Sequence, residues 1–150
     1  MIRETIKTDL IAAMKAKDAP RVAAIRLIQS AIKNRDIELR TGTPPADDDV
    51  TVSEVLMKMA KQRRESIEIF TTGNRPELAA VEAAELAVIE GFLPQQMDEA
   101  AAKTAIETIV ADLGATSVKD MGRVMAEVKS RLAGQLDMGK ASAMVKAALA

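Results

Sequence analysis

Apolar residues recur at helical spacing along almost the whole chain, and no stretch alternates as a half-buried strand would. Ile2, Ile6, Leu10 and Met14 step by four and predict an opening helix with one apolar stripe. Asp18 and Pro20 interrupt it as a cap and a first-turn proline. A second helix follows over roughly Pro20–Arg40, with Val22, Ile25, Ile28, Ile32 and Leu39 along one side and Arg21, Arg26, Lys33, Arg35 and Asp36 on the other. Gly42, Pro44 and Pro45 then enforce a loop over residues 41–49. Its Asp47-Asp48-Asp49 run reads as a disordered acidic turn, because it lacks the spaced ligands and glycine of a calcium loop.

The third helix directs Val52, Val55, Leu56, Met59, Ile67 and Phe70 inward and leaves Lys58, Lys61, Arg63 and Arg64 to solvent. Gly73 to Pro76 ends it, and a fourth helix runs through Leu78, Val81, Leu86 and Ile89 to near Gly91. Pro94 disfavours a helical Leu93, so the chain turns within Phe92-Leu93-Pro94-Gln95-Gln96. Three shorter helices follow: from near Asp98 to Leu113, from Ser117 with Asp120 in a capping-box position, and over about 137–149. The expectation is an all-α protein, with a four-helix N-terminal subdomain at 1–93 and a three-helix C-terminal bundle at 94–150.

The last two helices repeat. Asp120-Met121-Gly122-Arg123 and Val128-Lys129 recur seventeen residues later as Asp137-Met138-Gly139-Lys140 and Val145-Lys146. Duplication of a helical unit and a shared packing requirement both account for this, and two copies are too few for a solenoid.

Composition supports helices and narrows the chemistry. The 150 residues are 48% hydrophobic, almost entirely Ala, Leu, Ile, Val and Met, with Phe70 and Phe92 the only aromatics. Cysteine and histidine are absent, which removes disulfides, the commonest general base, the strongest nucleophile and every nitrogen or sulfur zinc ligand. No phosphate-binding or dinucleotide glycine motif occurs. Ser142 and Lys146 stand four apart, but a Ser/Lys dyad needs a buried lysine. Glu82, Glu85 and Glu90 read as a solvated face paired to the preceding helix. The expectation is therefore no catalytic residues, no metal and no cofactor. The charged N-terminus and the lack of a long apolar run predict a cytoplasmic protein without a membrane segment.

Net charge is −1, yet residues 1–40 carry nine Lys/Arg against five Asp/Glu, residues 41–93 five against ten, and residues 119–150 six against three. Three basic groups stand out: Lys33, Arg35 and Arg40; Lys58, Lys61, Arg63 and Arg64; and a tail set of Lys119, Arg123, Lys129, Arg131, Lys140 and Lys146. Each is readable as a solvated helix face or as a contact for phosphate. Gly122 and Gly139 near helix starts suit close helix packing better than anion binding, since Asp120 and Asp137 oppose an anion at the same pole. Without Trp or Tyr, base stacking is nearly excluded, so RNA contact would be electrostatic and shape-based.

Arg26-Leu27-Ile28 through Ala31-Ile32-Lys33-Asn34, Lys61-Gln62-Arg63-Arg64-Glu65-Ser66-Ile67, Glu82-Ala83-Ala84-Glu85-Leu86 leading to Phe92-Leu93-Pro94-Gln95-Gln96, and Asp120 to Met125 together resemble the GatB/YqeY domain family, in its stand-alone YqeY-like members. Phe92 stands where Tyr is more usual. The resemblance implies the four-plus-three helical plan and kinship with the tail of the B subunit of the tRNA-dependent amidotransferase, a carbon–nitrogen ligase whose catalytic parts have no counterpart here. It points to a non-catalytic tRNA-associated module with Lys119, Arg123, Lys129, Lys140 and Lys146 as contacts, and Lys61, Arg63 and Arg64 as a second set. The other reading is an adaptor that docks on an aminoacylation or amidotransferase-related protein.

Overall fold

Seven α-helices form from this pattern, and the computed structural model describes all residues from Met1 to Ala150. They are α1 (Ile2–Lys15), α2 (Ala19–Glu38), α3 (Asp48–Thr72), α4 (Pro76–Phe92), α5 (Glu99–Leu113), α6 (Met121–Arg131) and α7 (Met138–Leu149), with short 3₁₀ turns at Leu39–Thr41 and Val118–Asp120. The chain separates into two compact units, Met1–Leu93 with α1 to α4 and Pro94–Ala150 with α5 to α7. No helix is long and apolar enough to cross a membrane.

The N-terminal unit is built around Ile25, Ile28, Val52, Leu56 and Ile89, all essentially inaccessible to solvent, with Ile6 closing the α1 side. The α1 stripe departs from the expected one for a geometric reason. A step of four residues turns 400°, so a row spaced by four rotates about 40° per step around the helix. Ile6 is buried and Leu10 is half-buried, but by Met14 the row has left the core and Ala13 has taken its place. Met14 is exposed.

Proline and carboxylates set the helix starts. Pro20 lies in the first turn of α2 and the Asp18 carboxylate accepts from the Arg21 N–H, so this cap forms where it was expected. The Asp47-Asp48-Asp49 run is not a disordered turn. Asp47 caps α3 by accepting from the Asp49 N–H, and Asp48 and Asp49 occupy its first turn, where the helix dipole favours negative charge. Arg3 on α1 then forks between two helices, donating to Asp36 of α2 at 2.9 and 3.1 Å and to Asp48 at 2.8 and 2.9 Å.

That fork makes stability acid-sensitive. The Arg3 hydrogen bonds hold the Asp48 carboxyl below the usual carboxylate value, so the folded unit binds this proton less readily than the unfolded chain does. The contribution is fully present above about pH 4 and is lost as pH falls through the lowered folded value. Urea unfolding across about pH 2.5–7 is expected to show stability declining on the acid side, with Asp48→Asn flattening that limb. An unchanged acid limb in the variant would assign the loss to other carboxylates.

Beyond Ala60, α3 buries no further residue, and α4 buries only Ile89 and Phe92. The expected inward residues Ile67 and Phe70 are half-buried, and Val81 is exposed. Here two helices pair without a third to cover them, so ion pairs supplement the apolar seam. Arg63 lies 2.7 Å from Glu85 and 3.5 Å from Glu82, and Arg64 lies 2.7 Å from Glu90.

The C-terminal unit packs Ile106 and Ile109 of α5 against Val124 and Val128 of α6 and Ala141 and Val145 of α7. Asp98 caps α5 through the Ala101 N–H, and Gly114 ends it in the left-handed conformation at φ 61°. The Pro94-Gln95-Gln96 segment is more than a turn. Gln96 Nε2 donates to the Pro94 and Gly134 carbonyls, and the Met97 N–H donates to the Gln135 carbonyl at 2.9 Å. Those bonds fasten the start of this unit to its α6–α7 loop.

Candidate nucleic-acid interface

The seventeen-residue repeat becomes a packing repeat in three dimensions. Val124, Val128 and Leu132 of the first copy and Ala141, Val145 and Leu149 of the second face the same core at identical offsets. Positions beside that stripe divide between half-buried methionines, Met121, Met125, Met138 and Met144, and exposed cations, Arg123, Lys129, Lys140 and Lys146. The shared packing requirement therefore accounts for the apolar half of the repeat.

The cations do not form a single row. Arg123 and Lys129 are six residues apart, as are Lys140 and Lys146, and six residues turn 600°, placing each pair about 120° apart on its helix. Each pair flanks the buried stripe from opposite sides. The arrangement suits contact on two flanks of the bundle.

Nor are the cations equally available. Arg123 donates from Nη1 to the Leu113 carbonyl at 2.9 Å and from Nη2 to Asp120 at 3.2 Å. It thereby satisfies the last turn of α5 and ties it to the start of α6. Asp120 in turn accepts from the Thr116 and Ser117 amides, the Ser117 bond closing one arm of the expected capping box. The Thr116 amide, before its other partners, holds the Asp120 carboxyl below the usual carboxylate range. Arg131 is committed to Glu127 at 2.6 Å and Asp112 at 2.7 Å. Lys119, Lys140 and Lys146 are exposed and enter no ion pair, so the unneutralised charge of this unit rests chiefly on lysines.

The second candidate set changes more. Lys61 is exposed, but the Arg63 side chain is only 19% exposed, with Glu82 at 22% and Glu85 at 24% around it. Flanked by two carboxylates, it presents no net positive charge to a phosphate. Arg64 is exposed yet shared with Glu90. The expected pairing of Glu82, Glu85 and Glu90 with the preceding helix is thus present, and it consumes the two arginines of this set.

The glycines do not serve close packing as expected. Gly122 and Gly139 are both exposed. A Cβ at Gly122 would meet open space, and one at Gly139 would meet only the Asp137 carboxylate at 3.2 Å. That carboxylate accepts from the Lys140 N–H and so occupies the positive pole of α7. Lys146 is exposed beside half-buried Ser142 on α7, without the burial that a Ser/Lys dyad requires. What the surface offers chemically is flexible ammonium groups around a rigid helical core.

Sequence comparison agrees with this framework. The profile of the family described as Yqey-like protein matches residues 3–149. Altered inheritance of mitochondria protein 41, mitochondrial, of Saccharomyces cerevisiae is 36% identical over 90 residues, covering 60% of this chain and 47% of that protein. Its counterpart of the same name in Vanderwaltozyma polyspora is 32% identical over 127 residues, covering 77% and 64%. The Candida glabrata protein of that name is 35% identical over 91 residues, covering 61% and 49%. This chain spans about half the length of the first and last of these relatives, whose names describe them as mitochondrial. With the helical plan and the match over residues 3–149 in agreement, the chain belongs to the Yqey-like protein family.

Proposed function

We propose that this protein is a non-catalytic, tRNA-associated helical module whose C-terminal unit corresponds to the tail of the tRNA-dependent amidotransferase B subunit. In this reading the two compact units are separate subdomains with separate tasks, and the work is done in the cytoplasm beside aminoacylated tRNA. The observation that carries it is the set of exposed, unpaired lysines, Lys119, Lys140 and Lys146, on a bundle of the family that the sequence resembles. Ammonium groups on flexible stems tolerate the varied phosphate positions of a folded RNA, whereas base reading would call for aromatic platforms that the chain lacks. Arg123 acts mainly as a helix cap, and Lys129 and Lys61 border the same kind of exposed surface.

The C-terminal unit has seven Lys/Arg and seven Asp/Glu, so attraction to RNA is local and modest. Fluorescence anisotropy with labelled tRNA should therefore give binding whose log affinity falls against log salt with a slope of about two to three. The triple variant Lys119→Glu/Lys140→Glu/Lys146→Glu should abolish it while circular dichroism stays unchanged. No binding at about 50 mM salt, or binding indifferent to the triple reversal, removes this reading.

A further inference from the structure

The other strongly basic region lies in the first forty residues, and five of its nine cations line one seam. Two depressions lie between α1 and α2. One is lined by Arg3 and Lys7 of α1 with Gln29 and Lys33 of α2; the other by Met14 with Val22, Ala23 and Arg26, and by Lys17 at the turn. Residues 22, 26, 29, 33 and 36 of α2 are spaced by three or four, and residues 3, 7 and 14 of α1 share one side of that helix, so the depressions are two ends of one seam. From Ala19 to Asp36 it is about 25 Å long.

The floor of this seam is apolar, and its rims carry Arg3, Lys7 and Lys33 with Asp36 at one end and Lys17 and Arg26 at the other. Ile6 and Ile32 line one end, and Met14, Val22 and Ala23 the other. Met14, at 52% exposure, leaves that end of the floor open to solvent, and Ile11, one turn earlier on the same side of α1, is 54% exposed. Every carboxylate of the first forty residues is already engaged. Glu4 pairs with Lys7, Asp9 with Arg21, Asp36 with Arg3 and Glu38 with Arg35, while Asp18 caps α2. Lys17, Arg26 and Lys33 have no such partner. Lys17 also closes α1 at φ 55°, a left-handed position that glycine fills at lower cost, yet a lysine stands at the mouth of the groove.

We infer that the α1–α2 seam is a docking groove for an acidic amphipathic helix of a protein partner. An apolar stripe on that helix covers Met14, Val22 and Ala23, and carboxylates flanking the stripe meet Lys17, Arg26 and Lys33. A phosphodiester backbone would satisfy the cations and leave the apolar floor wet. The outer face of α3 on a second copy, with Lys58 and Lys61 among Glu65 and Glu68, lacks the acidic bias the rims require. This site is in the N-terminal unit and does not depend on RNA binding by the C-terminal one.

The test uses the full chain and a fluorescent synthetic peptide of about 18 residues, with leucines at helical spacing and glutamates on both flanks. Expected are saturable binding, amide shift changes confined to α1 and α2 in the unmodified protein, and a loss of about tenfold or more in affinity in Lys17→Glu/Arg26→Glu. Met14→Gln should also weaken binding, and Lys140→Glu should leave it unchanged. The inference is overturned by no binding, by equal binding of a scrambled peptide of the same composition, by shifts elsewhere, or by indifference to the double reversal. It is equally overturned if the reversal abolishes binding of labelled RNA or self-association and not of the peptide.

Discussion

Replacing Leu56 with alanine is expected to lower the stability of the N-terminal unit by about 3–4 kcal/mol. Leu56 is fully enclosed, in one cluster with Ile28 of α2 and Ile89 of α4, so both the lost transfer energy and the unfilled cavity count against the variant. A domain of this size is held by about 5–14 kcal/mol, so this one substitution removes a large share. Leu27→Ala is the matched control. It deletes the same atoms at a 46% exposed site and should cost about 0.5 kcal/mol or less. Urea unfolding of both variants, followed by circular dichroism, reads the difference directly. A Leu56→Ala cost below about 1.5 kcal/mol would mean that the α2–α3–α4 core collapses around the gap, against the close packing described here.

How much of this was legible in the sequence depended on the range of the interaction. Helix number and order follow from spacing within a turn or two, and Pro20, Pro76 and Pro94 mark where helices begin or the chain turns. The family resemblance was legible too, because it rests on short residue runs in order. The pairing of Glu82, Glu85 and Glu90 with the preceding helix was legible because the two helices are neighbours in sequence, but the Arg3–Asp48 pair was not, since nothing local couples residues forty-five apart. Missing the Arg3–Asp48 pair turned a capped helix start into an expected disordered loop. The α3–α4 pairing was read without naming its partners, so Arg63 also stood among the candidate cations. The α1–α2 groove escaped for a related reason: Met14 looked like core until the 40° drift of its row was taken into account, and the surplus of Lys17, Arg26 and Lys33 shows only once every nearby carboxylate has been assigned.

Ile106→Ala should have a larger functional consequence than its similar energetic cost suggests. Ile106 is 1% exposed between α6 and α7, and its truncation should cost about 3 kcal/mol. The same loss falls on a unit of fewer than sixty residues, which buries a smaller fraction of its surface and is held by only about 3–8 kcal/mol. The bundle is consequently brought close to its unfolding midpoint, whereas Leu56→Ala leaves the larger unit mostly folded. The packing repeat sharpens this, because α6 buries only Val124 and Val128, with Leu132 just past its end, and α7 only Ala141, Val145 and Leu149. Hydrogen exchange should show protection lost across α5, α6 and α7 while α2 and α3 retain theirs, and binding of tRNA should fall with the folded fraction of the bundle. Equal loss of protection in α2 and α3 would show that the two units unfold as one, and the assignment of separate tasks to them would then lose its physical basis.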